Sequence, residues 1–223
     1  MSLPQTLEEA AAAAVQATLE AIATGSNRLL VDIRFDEAKV LDIARPFAAA
    51  FRERYGDNWQ PILADAGAAA LAKREWADLN LNPRGVNEGR LAVTPEAQAF
   101  LVVAPSSVET DRLEKLMELV GDRPAVLVNP RLENAEIGVG LAARRVRERF
   151  LNRFEPCYVL QPVMGGALLR TFGGPWQVWS VLENQVLQEF GDRPSSDDLE
   201  RVFRGPQRSW LAQLQGFFRA LQN

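Results

Sequence analysis

Histidine is absent from all 223 residues, and that absence removes most familiar catalytic machinery. Without imidazole there is no Ser-His-Asp or Cys-His nucleophile and no histidine-bearing metal site. Cysteine occurs once, at Cys157, which excludes an internal disulfide and any CxxC redox or zinc motif. Lysine stands only at Lys39, Lys73 and Lys115, none behind a glycine-rich run, so no P-loop is present. No GxGxxG follows a strand, which leaves dinucleotide binding without support. No window of about 18 residues is both apolar and free of charge, so no membrane-spanning segment is expected. Met1 to Leu7 lack the basic and apolar regions of a secretory leader. These absences predict a cytoplasmic protein with no cofactor and no metal site.

What is present is ordinary for a globular chain. Hydrophobic residues make up 47 % and charged residues 24 %, which excludes global disorder. The net charge of −4 argues against a nucleic-acid binder. Dividing the length by about 150 residues per domain allows one large domain or two small ones. No linker longer than a turn divides the chain, so a single domain is expected over 1–223.

Periodicity divides that domain into four parts. Residues 1–25 hold a helix over 6–24, with Thr6 and Glu9 as a capping box and Gly25 as its stop. Over 26–153, strand and helix patterns alternate. Apolar runs at 28–34, 60–64, 98–103 and 125–129 read as strands, and RLAV (90–93) as a short strand beside 98–103. Helical spacing covers 38–55, where Pro46 either kinks the helix or begins it, and roughly 139–151. Ser106 and Glu109 form a capping box before Leu113, Leu116, Met117 and Val120. Over 154–190 the grammar changes to strands at 157–163, 167–172 and 176–183 with short glycine turns, as in an antiparallel meander. Over 191–223 two helices follow, one capped by Ser195 with Asp198 and one over 207–221. The fold class is α/β: a mostly parallel central sheet with helices on both faces, then an antiparallel meander and C-terminal helices.

In open α/β sheets, ligands bind beyond the carboxyl ends of the strands. Five residues there are candidate anion-binding groups: Asp65, Gly67, Ser106, Asn129 and Arg131. Gly67 would admit a ligand close to the backbone, while Ser106 and Arg131 would hold an anion. Asp65 and Ser106 also read simply as helix caps. A second candidate is the arginine-rich stretch with Arg144, Arg145, Arg147, Arg149 and Arg153. Arg145, Arg149 and Arg153 are spaced four apart on one helical face, as a partner-binding patch or a solvated face paired with Glu133, Glu136 and Glu148. A third is the stripe of Trp210, Leu214, Phe217 and Leu221, widened by Leu211 and Phe218, which suits docking on the chain's own core, a partner or a membrane surface. Trp176 and Trp179 fall on opposite faces of a strand covered on both sides, and Cys157 reads as a small buried hydrophobe.

Several motifs, in order, carry a resemblance. They are Ala64-Asp65-Ala66-Gly67 followed by Trp76, Val102-Val103-Ala104-Pro105, Asn129-Pro130-Arg131-Leu132, Arg145 to Phe150, Cys157-Tyr158 and Trp176-Gln177-Val178. From about Leu3 to Leu199 the chain resembles a domain-of-unknown-function family of cyanobacteria and plastids. Its plant members include assembly factors of the low-photosystem-II-accumulation type, and the start at Leu3-Pro4 is similar to a cyanobacterial member. The resemblance implies an auxiliary, non-catalytic role beside the thylakoid membrane, with a photosystem subunit or another assembly factor as partner and a peripheral membrane contact. It implies no catalytic residues. The alternative from the strand ends is a binder or modifier of a phosphorylated small molecule or nucleotide.

Overall fold

The computed structural model describes residues 2–34, 38–132 and 150–203. Nine strands form one mixed sheet in the order β3-β2-β4-β5-β1-β6-β7-β8-β9. The first six are β1 (Arg28–Ile33), β2 (Trp59–Leu63), β3 (Arg84–Gly85), β4 (Ala99–Val103), β5 (Ala125–Val128) and β6 (Glu155–Val163). They pair in parallel throughout. Strands β7 (Gly166–Thr171), β8 (Trp176–Ser180) and β9 (Gln185–Phe190) continue from β6 as antiparallel hairpins. The chain is thus a single α/β domain, mostly parallel and then antiparallel, as its periodicities predict.

Helices α1 (Leu7–Ala23), α2 (Val40–Tyr55) and α3 (Ala66–Glu75) cover one face, and their buried side chains share a core with Leu29, Val31 and Ile33 of β1. In α1 the inward positions are Ala10, Ala14, Ala17 and Ala21, small residues that bring its backbone close to the sheet. Its start is the expected one, with Thr6 Oγ1 accepting from the Glu9 amide at 3.1 Å. On the other face, α4 (Thr110–Val120) and the 3-10 segment Val86–Ala92 pack with Phe150 and Phe154 over Phe100, Val102 and Leu127. The last described helix, α5 (Ser196–Phe203), covers Val159, Leu168, Trp176 and Val178 on that side of the antiparallel half. Its cap is also as read, since the Ser195 amide and hydroxyl both donate to Asp198. The helix expected over 207–221 lies outside the described residues, as does that over 139–151 apart from Phe150 and Leu151, where a turn leads into the 3-10 segment Leu151–Arg153.

Three details differ from the sequence reading. RLAV (90–93) belongs to the 3-10 segment, not to a strand, because Gly89 turns the chain at φ 58° and leaves Leu91 73 % exposed. The short strand there is β3, whose two residues are too few to show a period. The meander has an additional strand, β9, whose residues are mostly exposed and so carry no apolar run. Its first strand, β6, is also the sixth parallel strand, because it pairs with β1. Of the two readings of Pro46, a helix that begins there is excluded, because α2 starts at Val40 and carries Pro46 inside it.

The β1–β6 register slips at Cys157. Leu30 faces Pro156 and Val31 faces Tyr158, so Cys157 is the extra residue of a bulge. Both Cys157 and Tyr158 therefore enter the core beneath α1, where Thr18 Oγ1 lies 3.4 Å from Cys157 Sγ. Burial pushes the Cys157 thiol up to about 11 and the Tyr158 phenol well above its ordinary value. A raised thiol value means the folded state keeps its proton while the unfolded chain, titrating near 9, gives it up. Stability from this group is complete below about pH 9 and is lost as pH rises toward about 11, by about 2–3 kcal/mol for two pH units. Urea midpoints at pH 8 and pH 10.5 should fall accordingly, and Cys157→Ala should flatten part of the decline.

Candidate functional site

The six parallel strands end on one rim of the sheet, and the candidate residues of the sequence meet there. Asp65 follows β2 and caps α3, its carboxylate accepting from the Ala68 amide at 2.8 Å. Gly67 is an ordinary residue of the first turn of α3. The glycine this rim requires is Gly85, since a Cβ there would stand 2.7 Å from the Asp65 carbonyl carbon and the Ala66 nitrogen. Ser106, after β4, closes a capping box: its amide donates to the Glu109 carboxylate at 2.9 Å, and its hydroxyl accepts from the Val108 amide.

The structure brings Ser106 and Arg131 together. They form an isolated parallel bridge beyond the ends of β4 and β5, with the Arg131 amide donating to the Pro105 carbonyl at 2.8 Å. Just before it, Ala104 and Asn129 both turn into the left-handed region, at φ 48° each. That conformation costs a non-glycine residue about 1–2 kcal/mol, less for Asn. Asn129 offsets it with its side chain. The amide oxygen accepts from the Ile33 N–H at 2.9 Å and the amide nitrogen donates to the Ile33 carbonyl at 2.5 Å, so a side chain continues the β5–β1 ladder. Asn129→Ala should therefore cost about 2 kcal/mol in urea titrations, while Asn129→Asp, which keeps the acceptor only, should cost less. Among the described residues, the Arg131 side chain is exposed and makes no hydrogen bond.

Beside Asn129 lies a cluster absent from the sequence reading. Asp32, in β1, has a side chain only 7 % exposed, and its carboxylate accepts from Arg34 Nε at 2.9 and 3.0 Å. Gln161 of β6 donates to the same carboxylate at 2.5 Å and accepts from Arg193 at 2.9 Å. The Arg193 guanidinium in turn lies over the Trp176 ring, 5.5 Å from its centroid. The buried carboxylate thus ties β1 to β6 and holds the Arg34 guanidinium, while Gln161, which it orients, holds Arg193 from the loop before α5. The signal was available: Asp32 interrupts the apolar run Leu29 to Phe35. A carboxylate in a central strand is retained only where partners hold it.

Of the arginine patch, Arg144, Arg145, Arg147 and Arg149 lie outside the described residues. Arg153 is described, exposed at the end of a 3-10 turn, and its charge helps lower the pKa of Arg28 after the larger effect of burial. The stripe from Trp210 to Leu221 also lies outside. Trp176 and Trp179 are buried in different clusters, as their spacing predicts, and Cys157 is fully buried.

Residues 4–201 match the family model described as a domain of unknown function, DUF1995. The chain belongs to that family. Nearly all of the nine-stranded sheet and its capping helices therefore constitute the DUF1995 domain, and the match ends inside α5. Among the described residues of this DUF1995 chain, no helix is long and apolar enough to cross a membrane, and no group of three or more acidic or cysteine residues could hold a metal ion.

Proposed function

We propose that this DUF1995 chain is a non-catalytic auxiliary protein, similar to photosystem assembly or accumulation factors, that acts through protein–protein contacts beside the thylakoid membrane. One observation carries the non-catalytic part. At the rim where an α/β enzyme would place its reacting groups, three of the four polar candidates are committed to the chain's own backbone, and Arg131 alone of them is left exposed. Asp65 and Ser106 cap helices, and Asn129 completes a strand ladder. The photosystem part rests on the motif resemblance, from Ala64-Asp65-Ala66-Gly67 to Trp176-Gln177-Val178. The arginine stretch supplies the contact surface in this reading, because exposed arginines draw acidic surfaces at range and salt shortens that reach.

The test is recovery of photosystem subunits with the tagged chain from thylakoid extract, at rising salt. Arg145→Glu with Arg149→Glu should abolish that recovery and leave the melting temperature within about 1 °C. Normal recovery by the double variant would remove the arginine face from the contact. Unfolding would place these arginines in internal ion pairs.

A second reading, binding of a phosphorylated small molecule or nucleotide at the strand ends, is favoured by one feature. Asp32 and Gln161 hold the guanidinium groups of Arg34 and Arg193 near the rim that carries Arg131. Saturable binding of a nucleotide or sugar phosphate by calorimetry, lost in Asp32→Asn, would favour it over the first.

A further inference from the structure

Among the described helices, α1 and α2 each bury six residues and α4 buries five, whereas α5 buries none of its eight. Yet α5 covers residues that are deeply buried. Val159, Leu168, Trp176 and Val178 are 5 % exposed or less, and the partly buried Leu199, Val202 and Phe203 pack against them. The sheet beneath does not need α5 for its hydrogen bonds, because β6, β7, β8 and β9 pair with one another.

The segment from Asp192 to Phe203 is fastened near its two ends. At its start, Arg193 donates to the Gln161 side-chain oxygen at 2.9 Å and lies over the Trp176 ring. The other end of the Gln161 amide donates to Asp32, so the buried carboxylate sets which atom of the amide faces Arg193. At the far end, the Phe203 ring sits on Gly165 and Gly166, where a Cβ on either glycine would press on the ring. Before Asp192 comes Gly191, directly after the last β8–β9 pair of Trp176 with Phe190. It stands in open space, with nothing within 4 Å of the place its Cβ would take, and a glycine so placed turns freely.

We propose that Asp192–Phe203 is a strap, hinged at Gly191, that swings open as one unit while the nine-stranded sheet stays folded. Arg193 and Phe203 are its two catches, and Asp32 holds the first of them through Gln161. Segments that open in this way come from the low-stability end of a structure, where little apolar surface is buried. Detaching α5 gives up little burial of its own, and it uncovers the apolar face of Val159, Leu168, Trp176 and Val178. The strap therefore decides when that face is accessible.

The experiment is iodoacetamide labelling of the full chain carrying Val178→Cys, with the two thiols told apart by peptide mass. Val178 lies under α5, while Cys157 is fully buried on the opposite face beneath α1 and reports opening of the whole domain. Each rate is divided by that of the same thiol in concentrated urea. The introduced thiol should then react at least about a hundredfold faster than Cys157. Low urea should speed Cys157 steeply and the introduced thiol hardly at all, because the strap exposes little surface. Arg193→Ala removes a charged hydrogen bond and should speed the introduced thiol about tenfold or more. Leu127→Ala, in a part of the sheet that stays folded when the strap opens, should speed Cys157 and leave the introduced thiol unchanged. One common rate for both thiols, with one urea dependence, overturns the proposal, since α5 then opens only with the domain. An unchanged rate in Arg193→Ala overturns it too. Hydrogen exchange of the unsubstituted chain repeats the test without a new thiol. The amides from Leu199 to Phe203 should share one protection factor, well below that of β5. A protection gradient along α5 would mark fraying instead of a unit, and protection equal to that of β5 would mark a fixed helix; either result overturns the strap.

Discussion

Leu127→Ala is expected to lower stability by about 3–4 kcal/mol, in the middle of the range for leucine truncation in a core. Leu127 sits in β5, flanked in register by Leu30 of β1 on one side and Val102 of β4 on the other, and it has no exposed surface. Its side chain faces the cluster built by Leu113, Leu116 and Met117 of α4 and by Phe150 and Phe154. The backbone on both sides is pinned by parallel ladders, and α4 is tied down at its far end by Arg123. That guanidinium donates to the carbonyls of Val120, Leu119 and Ala97 at 2.8–2.9 Å and lies over the Phe100 ring. With walls so fixed, the void left by the missing methyls has little freedom to collapse, and the cavity term adds to the transfer term. A urea-denaturation loss below about 1 kcal/mol would mean that α4 shifts to refill the space.

How much of this was readable from residues alone follows from which physical signal each feature leaves. The parallel strands are buried on both faces, so β1, β4 and β5 appear as continuous apolar runs. The helix starts are equally plain, because Thr6, Asp65, Ser106 and Ser195 must satisfy orphan amides locally. Strand β9 left no such mark: at the sheet edge it buries little, and its alternation is drowned by Gln185, Gln188 and Glu189. Strand β3 owes its existence to neighbours, being two residues that pair with β2. RLAV looked like a strand by composition, yet the backbone turn at Gly89 overrides it. At the rim, residue types pointed correctly to strand ends but not to what the side chains do there. Asn129 bonds to a strand adjacent in space and 96 residues away in sequence, and no local pattern encodes that partner. Asp32 is the converse. Its position in an apolar run was visible, whereas Gln161 and Arg193, which make its burial tolerable, come from distant segments.

Gly166→Ala is expected to be at least as damaging as the leucine truncation, for the opposite physical reason. At Gly166 an added Cβ would fall inside the van der Waals envelope of the Trp179 carbonyl oxygen and 3.0 Å from Phe203 Cζ. The carbonyl belongs to β8, whose next strand pair, Ala167 with Trp179, begins one residue later, so neither backbone yields without breaking the ladder. Overpacking a rigid site costs typically about 1–3 kcal/mol, and loss of the adjoining β7–β8 pairing would take the total to about 4 kcal/mol. Gly173→Ala is the control, since its neighbourhood is open and only the φ of 74° opposes the new side chain, at about 1–2 kcal/mol. The same substitution at Gly166 also lifts Phe203, the residue from which 204–223 departs. Phe203→Ala beside Gly166→Ala separates the two consequences. If the ring clash dominates, the double variant recovers most of the lost melting temperature. If the carbonyl clash dominates, as the shorter approach requires, the double variant melts no higher than Gly166→Ala alone, and the β7–β8 hairpin amides lose hydrogen-exchange protection first.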